Sequence, residues 1–235
     1  MAMFLHSLDD HLTDGQVPVS PLTLLLRTQA WTIMDRAFRT LADGVPAGRR
    51  TIHRFIDEYY SSIQDSKELK SLDNYCDLFR RQMAIGMVAP ILLSMKMTGI
   101  SDFTRAIEIA YGSFGIAWRL LDDIRDIRSD IQKRSHSAIY LCLPEDLRIQ
   151  WNHNPFRNRT EARDYTHAIL THILEHSLID KIKERICAEL ETAASIVEAH
   201  DLTGLAREFR SLAHPLRNSG SLQEERHGRP GISLA

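Results

Sequence analysis

Apolar side chains recur at three- and four-residue steps along almost the whole chain, and that spacing admits little besides packed helices. Leu22, Leu25, Leu26, Ile33 and Phe38 follow Ser20-Pro21, a capping serine with proline at the first helical position. A helix therefore starts there and stops near Gly44 and Pro46. The pattern predicts further helices over 49–62, over 68–97 with a kink at Pro90, and over 101–133 with Ser101 as its cap. Beyond Pro144 it predicts a short helix through Trp151, two helices between Glu161 and Glu198, and a last one over 202–212. No segment reads as a strand: Val17 to Ser20 is too short, and Ile139 to Leu143 runs into Pro144. The expected class is all-α, with one helical domain over 1–217 and a disordered polar tail over 218–235.

A chain of 235 residues with 43% hydrophobic content can bury a sizeable core, which excludes a disordered or collagen-like polymer. Its 29 basic residues nearly balance 31 acidic ones, so the formal charge of -2 favours neither nucleic acid nor an anionic membrane. Cys76, Cys142 and Cys187 form no Cys-x-x-Cys pair. The reading is a reduced, cytoplasmic chain without a cysteine-built zinc site. No stretch reaches the roughly 18 unbroken apolar residues of a membrane span. Met83 to Met97 comes nearest and is interrupted by Pro90, Ser94 and Lys96. The N-terminus lacks a basic region and meets Asp9 and Asp10 at once, so it does not read as a signal peptide.

Two acidic clusters carry the chemistry. The first holds Asp9, Asp10 and Asp14; the second holds Asp122, Asp123, Asp126 and Asp130. On a helix each four-residue step advances only about 40°, so Asp122, Asp126 and Asp130 line one face, and Asp10 and Asp14 share another. Like charges at that spacing weaken a helix by roughly 0.2–0.5 kcal/mol per pair. One reading is a solvated acidic face eased by Arg125 and Arg128. The sharper reading is a hard-cation site, because all-oxygen ligands suit Mg²⁺ or Mn²⁺. Facing each other across a cavity, the clusters would hold Mg²⁺ on a diphosphate, since that ion combines a few carboxylates with phosphate oxygens.

The pair of clusters resembles the two aspartate-rich motifs of class I isoprenoid synthases, with the squalene/phytoene synthase branch the nearest match. Ile124 to Arg134, followed by Ile139-Tyr140-Leu141-Cys142-Leu143-Pro144-Glu145-Asp146-Leu147, is similar to that branch's second motif. That motif is an Arg-Asp-x-x-x-Asp with basic residues and a Tyr-Leu-Pro-x-Glu-Asp-Leu stretch. Asn74-Tyr75-Cys76, running on to Ala84-Ile85-Gly86-Met87-Val88, resembles the helix between the motifs. Asp122-Asp123-x-x-Asp126-x-x-x-Asp130 equally fits the second motif of trans-prenyl diphosphate synthases. Asp123, Asp126 and Asp130 match the one-four-eight spacing of the terpene cyclase triad. The likeness covers about Phe4 to Leu147. It departs in three ways. The first motif is one residue longer than usual. Lys133-Arg134 lacks the adjoining glycine. Only eight residues precede Asp9, where family members carry further helices and, in the elongating enzymes, a Gly-Lys-x-Arg site.

The resemblance implies an isoprenoid synthase-type helical bundle around a central apolar cavity, acting on an allylic prenyl diphosphate with three Mg²⁺ ions, or Mn²⁺ in their place. It implies Asp9, Asp10, Asp14, Asp122, Asp123, Asp126 and Asp130 as metal ligands, with Asp10, Asp14, Asp122 and Asp126 central to ionisation. Arg80, Arg81, Lys133 and Arg134 would bind the diphosphate. Tyr75, Phe79, Met83, Met87, Phe114 and Trp118 would contact the apolar chain. The cation would then be captured by a second isoprenoid, as in a prenyltransferase, or cyclise, as in a terpene synthase.

Blander readings stand beside these. Arg80 and Arg81 are adjacent and cannot both point inward. Methionines and aromatics at helical spacing are commonly core, and Cys76 reads as a small buried hydrophobe. The short N-terminus supports a different reading: a non-catalytic or partner-dependent subunit of a prenyl synthase complex. A homodimer mate or partner subunit would then replace the absent helices, over an exposed apolar patch near Phe4 and Leu8. A bundle that binds an apolar ligand, with the aspartates as a solubilising face, is a third. A di-iron carboxylate bundle needs inward Glu-x-x-His pairs, which the helical segments lack.

Overall fold

The computed structural model describes residues 2–13, 15–64, 69–153 and 159–218. All regular structure among them is α-helical. The order is α1 (Ala2–Thr13), α2 (Pro21–Ala42), α3 (Gly48–Gln64), α4 (Leu72–Gln82), α5 (Ala84–Thr98) and α6 (Ser101–Arg125), then α7 (Ile127–Lys133), α8 (Ala138–Cys142), α9 (Glu145–His153), α10 (Arg159–Glu175), α11 (Leu178–Glu198) and α12 (Thr203–Asn218). Asp14 and the tail from 219 onward lie outside the described residues, as does the side chain of Asp10. No helix among the described residues is long and apolar enough to cross a membrane.

Local signals place several boundaries. The Ser20 hydroxyl accepts from the Thr23 N–H at 3.2 Å, and the Thr23 hydroxyl accepts from the Ser20 N–H at 2.8 Å, so a complete capping box starts α2 with Pro21 at the first position. Gly44, at φ 75°, follows its end, where a side chain would be strained. The helix expected over 68–97 is two helices, and it breaks at Met83 rather than at Pro90. The Gly86 N–H bonds back to the Met83 carbonyl at 2.9 Å, a tightened three-residue step. Pro90 sits inside α5, where it removes only the one hydrogen bond toward Gly86.

The helix expected over 101–133 is likewise divided, at Asp126 (φ -95°, ψ 7°). The four-residue step nonetheless survives the break. The Asp126 N–H reaches the Asp122 carbonyl at 2.9 Å, and the Asp130 N–H reaches the Asp126 carbonyl at 2.8 Å.

The chain groups into two compact units. Unit 1 comprises Met1–Lys67 and Leu78–Gly112, and unit 2 comprises Glu68–Asp77 and Ser113–Ala235, so α4 and α6 contribute to both. In unit 1, α3 packs on α5, with α1 and α2 against them. Leu5, Met34, Phe55, Ile85 and Leu92 are fully buried there. In unit 2, α11 packs on α8, α10 and α12, and α7 lies against α10. Its buried residues include Leu120, Ile139, Trp151, Ile169 and Ile182. Each such side chain gains about 1.5–3 kcal/mol from leaving water, enough to hold the helices that carry the polar groups described next.

Candidate functional site: two aspartate clamps

In unit 2, Asp123 of α6 is 3% exposed. Its Oδ2 accepts from the Tyr75 hydroxyl at 2.8 Å and from the Ala138 N–H at 2.8 Å. Its Oδ1 lies 3.2 Å from Arg119 Nε, one turn earlier on the same helix. Arg119 Nε also donates to the Tyr75 oxygen at 2.7 Å. Burial raises the Asp123 carboxyl above its ordinary range, against the opposing pull of Arg119, the Ala138 N–H and the Tyr75 hydroxyl. Burial also lifts the Tyr75 phenol well up, and the Asp123 charge adds to it, so the proton stays on the tyrosine and is donated.

The Ala138 donor is delivered by a tight loop. Arg134 takes a left-handed conformation at φ 59°, and the Ser135 N–H bonds back to the Asp130 carbonyl at 3.0 Å. His136 stacks on Tyr140 at 4.2 Å, and its Nε2 lies 2.8 Å from Asn152 Oδ1, while Asn152 Nδ2 donates to the Tyr140 hydroxyl at 2.8 Å. Both ends of the loop are thereby fixed.

The remaining aspartates of this cluster sit in graded exposure. Asp122 is half-buried and Asp126 is exposed. Asp130 is half-buried, and burial followed by the charge of Asp123 pushes its carboxyl up to about 6. The Ser137 hydroxyl lies near enough to oppose that rise, yet its buried Oγ makes no hydrogen bond of ordinary length among the described residues.

Unit 1 contains a second clamp of the same chemistry. Asp9 of α1 is gripped by both arms of Arg27 of α2, Nε to Oδ1 at 2.5 Å and Nη2 to Oδ2 at 2.9 Å. The Tyr59 hydroxyl of α3 donates to Asp9 Oδ2 at 2.6 Å. Burial and the Asp9 acceptor together raise the Tyr59 phenol far above its usual value. The clamp borders an open cavity of about 450 Å³ lined also by Leu12, Val19, Leu24 and Ile63.

The sequence-derived candidates divide between the units. Unit 1 holds Asp9, Phe79, Arg80, Arg81, Met83 and Met87; unit 2 holds Tyr75, Phe114, Trp118, the second aspartate cluster, Lys133 and Arg134. Arg80 and Lys133 are exposed, while Arg81 and Arg134 are half-buried. Phe79 and Met87 are core, and Phe79 meets His6 edge-on at 6.0 Å. Phe114 packs on Phe209 at 5.7 Å, whereas Trp118 is 57% exposed. Cys76 is buried.

Tyr75, read as a substrate contact, spends its hydroxyl on Asp123. Arg27, Tyr59 and Arg119 were missed. Only Arg119 carried a sequence signal, four residues before Asp123 on the same helix.

No three His, Cys, Asp or Glu side chains among the described residues converge closely enough to hold a metal ion. Mg²⁺ needs less than that: one or two carboxylates complete its shell with water and phosphate oxygens. Asp122 and Asp126 offer such carboxylates while Asp123 is committed to its clamp. No family model, curated protein or solved structure matches the chain.

Proposed function

We propose that the protein is a Mg²⁺-dependent class I isoprenoid synthase that ionises an allylic prenyl diphosphate in the cytoplasm, as a condensing prenyltransferase or a terpene cyclase. The observation that carries this reading is the unbroken four-residue step through Asp122, Asp126 and Asp130, beside a locked Asp123. Bound Mg²⁺ would neutralise the charge that develops on the departing diphosphate. Asp122 and Asp126 hold the ion. Arg119, Tyr75 and Ala138 fix Asp123, and with it the helix that presents its neighbours. Lys133 and Arg134 lie three and four residues after Asp130 and pair with phosphate oxygens.

The test is diphosphate release from ten-, fifteen- and twenty-carbon allylic diphosphates, singly and in pairs, with Mg²⁺ and with EDTA. Release from one substrate alone supports a cyclase, and release only from a pair supports condensation. In either case Asp122→Asn and Asp126→Asn should each lower turnover by about 100-fold or more, the scale of a lost electrostatic contact. Turnover unchanged in both variants, or no release from any substrate, sinks the reading.

A second reading, the partner-dependent subunit, is favoured by one specific observation. Leu22, Leu25, Leu26 and Ile33 form an outward stripe on α2 and are 44–65% exposed, and Phe4 is 52% exposed. Stripes of that kind mark surfaces that a partner covers. Sedimentation of the purified chain separates the readings: a monomer that turns over alone removes the subunit reading.

A further inference from the structure

We propose that His172 and His176, at the C-terminal end of α10, form a two-imidazole site for a late first-row divalent ion such as Cu²⁺, Ni²⁺ or Zn²⁺. The residues are four apart, the spacing with which helices present two imidazoles to zinc. Their rings already lie together, with centroids 3.9 Å apart and planes inclined by 22°. His176 Nδ1 sits 3.1 Å from the His172 carbonyl oxygen. A carbonyl only accepts, so that nitrogen carries the proton, and in the neutral ring Nε2 keeps its lone pair. Metal-binding histidines are commonly oriented by this kind of backbone bond.

Access and ligand count are consistent with an exchangeable site. His176 is exposed and His172 half-buried. With two protein ligands, water fills the remaining positions, and affinity should follow the order Cu²⁺ above Ni²⁺ and Zn²⁺. Imidazole rather than carboxylate sets this preference, so the site is chemically separate from the aspartates and binds without a phosphate ligand. It has a structural consequence as well. His176 lies in the turn between α10 and α11, next to the left-handed Ser177 (φ 51°). An ion shared with His172 would tie that turn to the last helical turn of α10 and stabilise the chain by mass action.

The experiment is calorimetric titration of the full chain with CuCl₂, NiCl₂ and ZnCl₂ at neutral pH, paired with thermal melts. The expected result is one saturable site, strongest for Cu²⁺, that loses about tenfold or more in affinity in His172→Ala and in His176→Ala. The melting temperature should rise with metal in the native chain and in His167→Ala, an exposed histidine elsewhere on α10, but not in the two site variants. Absence of saturable binding in the native chain overturns the proposal, as does equal binding by the His172→Ala/His176→Ala double variant.

Discussion

In unit 1, Asp9 is held by Arg27 and Tyr59; in unit 2, Asp123 is held by Arg119, Tyr75 and the Ala138 N–H. The side-chain types are the same and the routes differ. Asp9 finds both partners far along the chain, 18 and 50 residues away, so its clamp pins α1 to α2 and α3. Asp123 has its arginine one turn away on its own helix, the Ala138 N–H of α8 15 residues on, and its tyrosine 48 residues distant on α4. Their surroundings differ more. The Asp9 side chain is 14% exposed beside an open cavity, whereas that of Asp123 is 3% exposed. Water can stand in for a lost partner at the first clamp and cannot at the second.

That difference sets an order of expected effects. Asp123→Ala should be the most damaging, at about 3–5 kcal/mol by urea denaturation, because it strands Arg119 and a buried hydroxyl. Asp9→Ala should cost about 1–2 kcal/mol, since the open cavity beside Asp9 lets water reach the groups left behind. Equal losses would show that burial is not what separates the clamps. Removing single hydroxyls sharpens the comparison: Tyr75→Phe should cost about 1–2 kcal/mol and Tyr59→Phe about 1 kcal/mol or less. A reversed order would show that the Tyr59 hydroxyl contributes more to its clamp than the Tyr75 hydroxyl does to its own.

The smallest effect is a pH dependence that only unit 2 should show. Asp130 titrates near 6 in the folded, metal-free chain, above its unfolded value of 3.8. Between those values the folded state holds the extra proton, so this group's contribution to stability is full below about pH 4 and is lost as pH rises through 6. Because the group is half-exposed, screening trims the effect to about 1 kcal/mol. Asp130→Asn should flatten this part of the stability profile and gain about that much at neutral pH. A profile unchanged by the substitution would place the cause elsewhere.

The helical class was legible because burial of one face imposes its period on every segment, and Ser20-Pro21 and Gly44 mark their boundaries through their own backbone chemistry. The breaks at Met83 and Asp126 were not legible. Neither residue is a glycine or proline, and each break is a backbone adjustment that local propensity does not encode. Pro90 shows the converse, a strong local signal absorbed inside α5. At the candidate site, the aspartates announced themselves by spacing. Their partners did not, because Arg27 and Tyr59 meet Asp9 only after three helices have packed. Arg119 stood in view at four residues from Asp123, but that spacing cannot say whether an ion pair is buried or solvated.

The two clamping tyrosines give the chain a built-in optical reporter. Both phenols are held far above the value of a free tyrosine. In alkali, an ultraviolet titration should therefore count fewer phenolates than the six tyrosines of the chain. The missing absorbance should appear abruptly when the helices part, so the colour change would time the release of Asp9 and Asp123 rather than the chemistry of the phenols themselves.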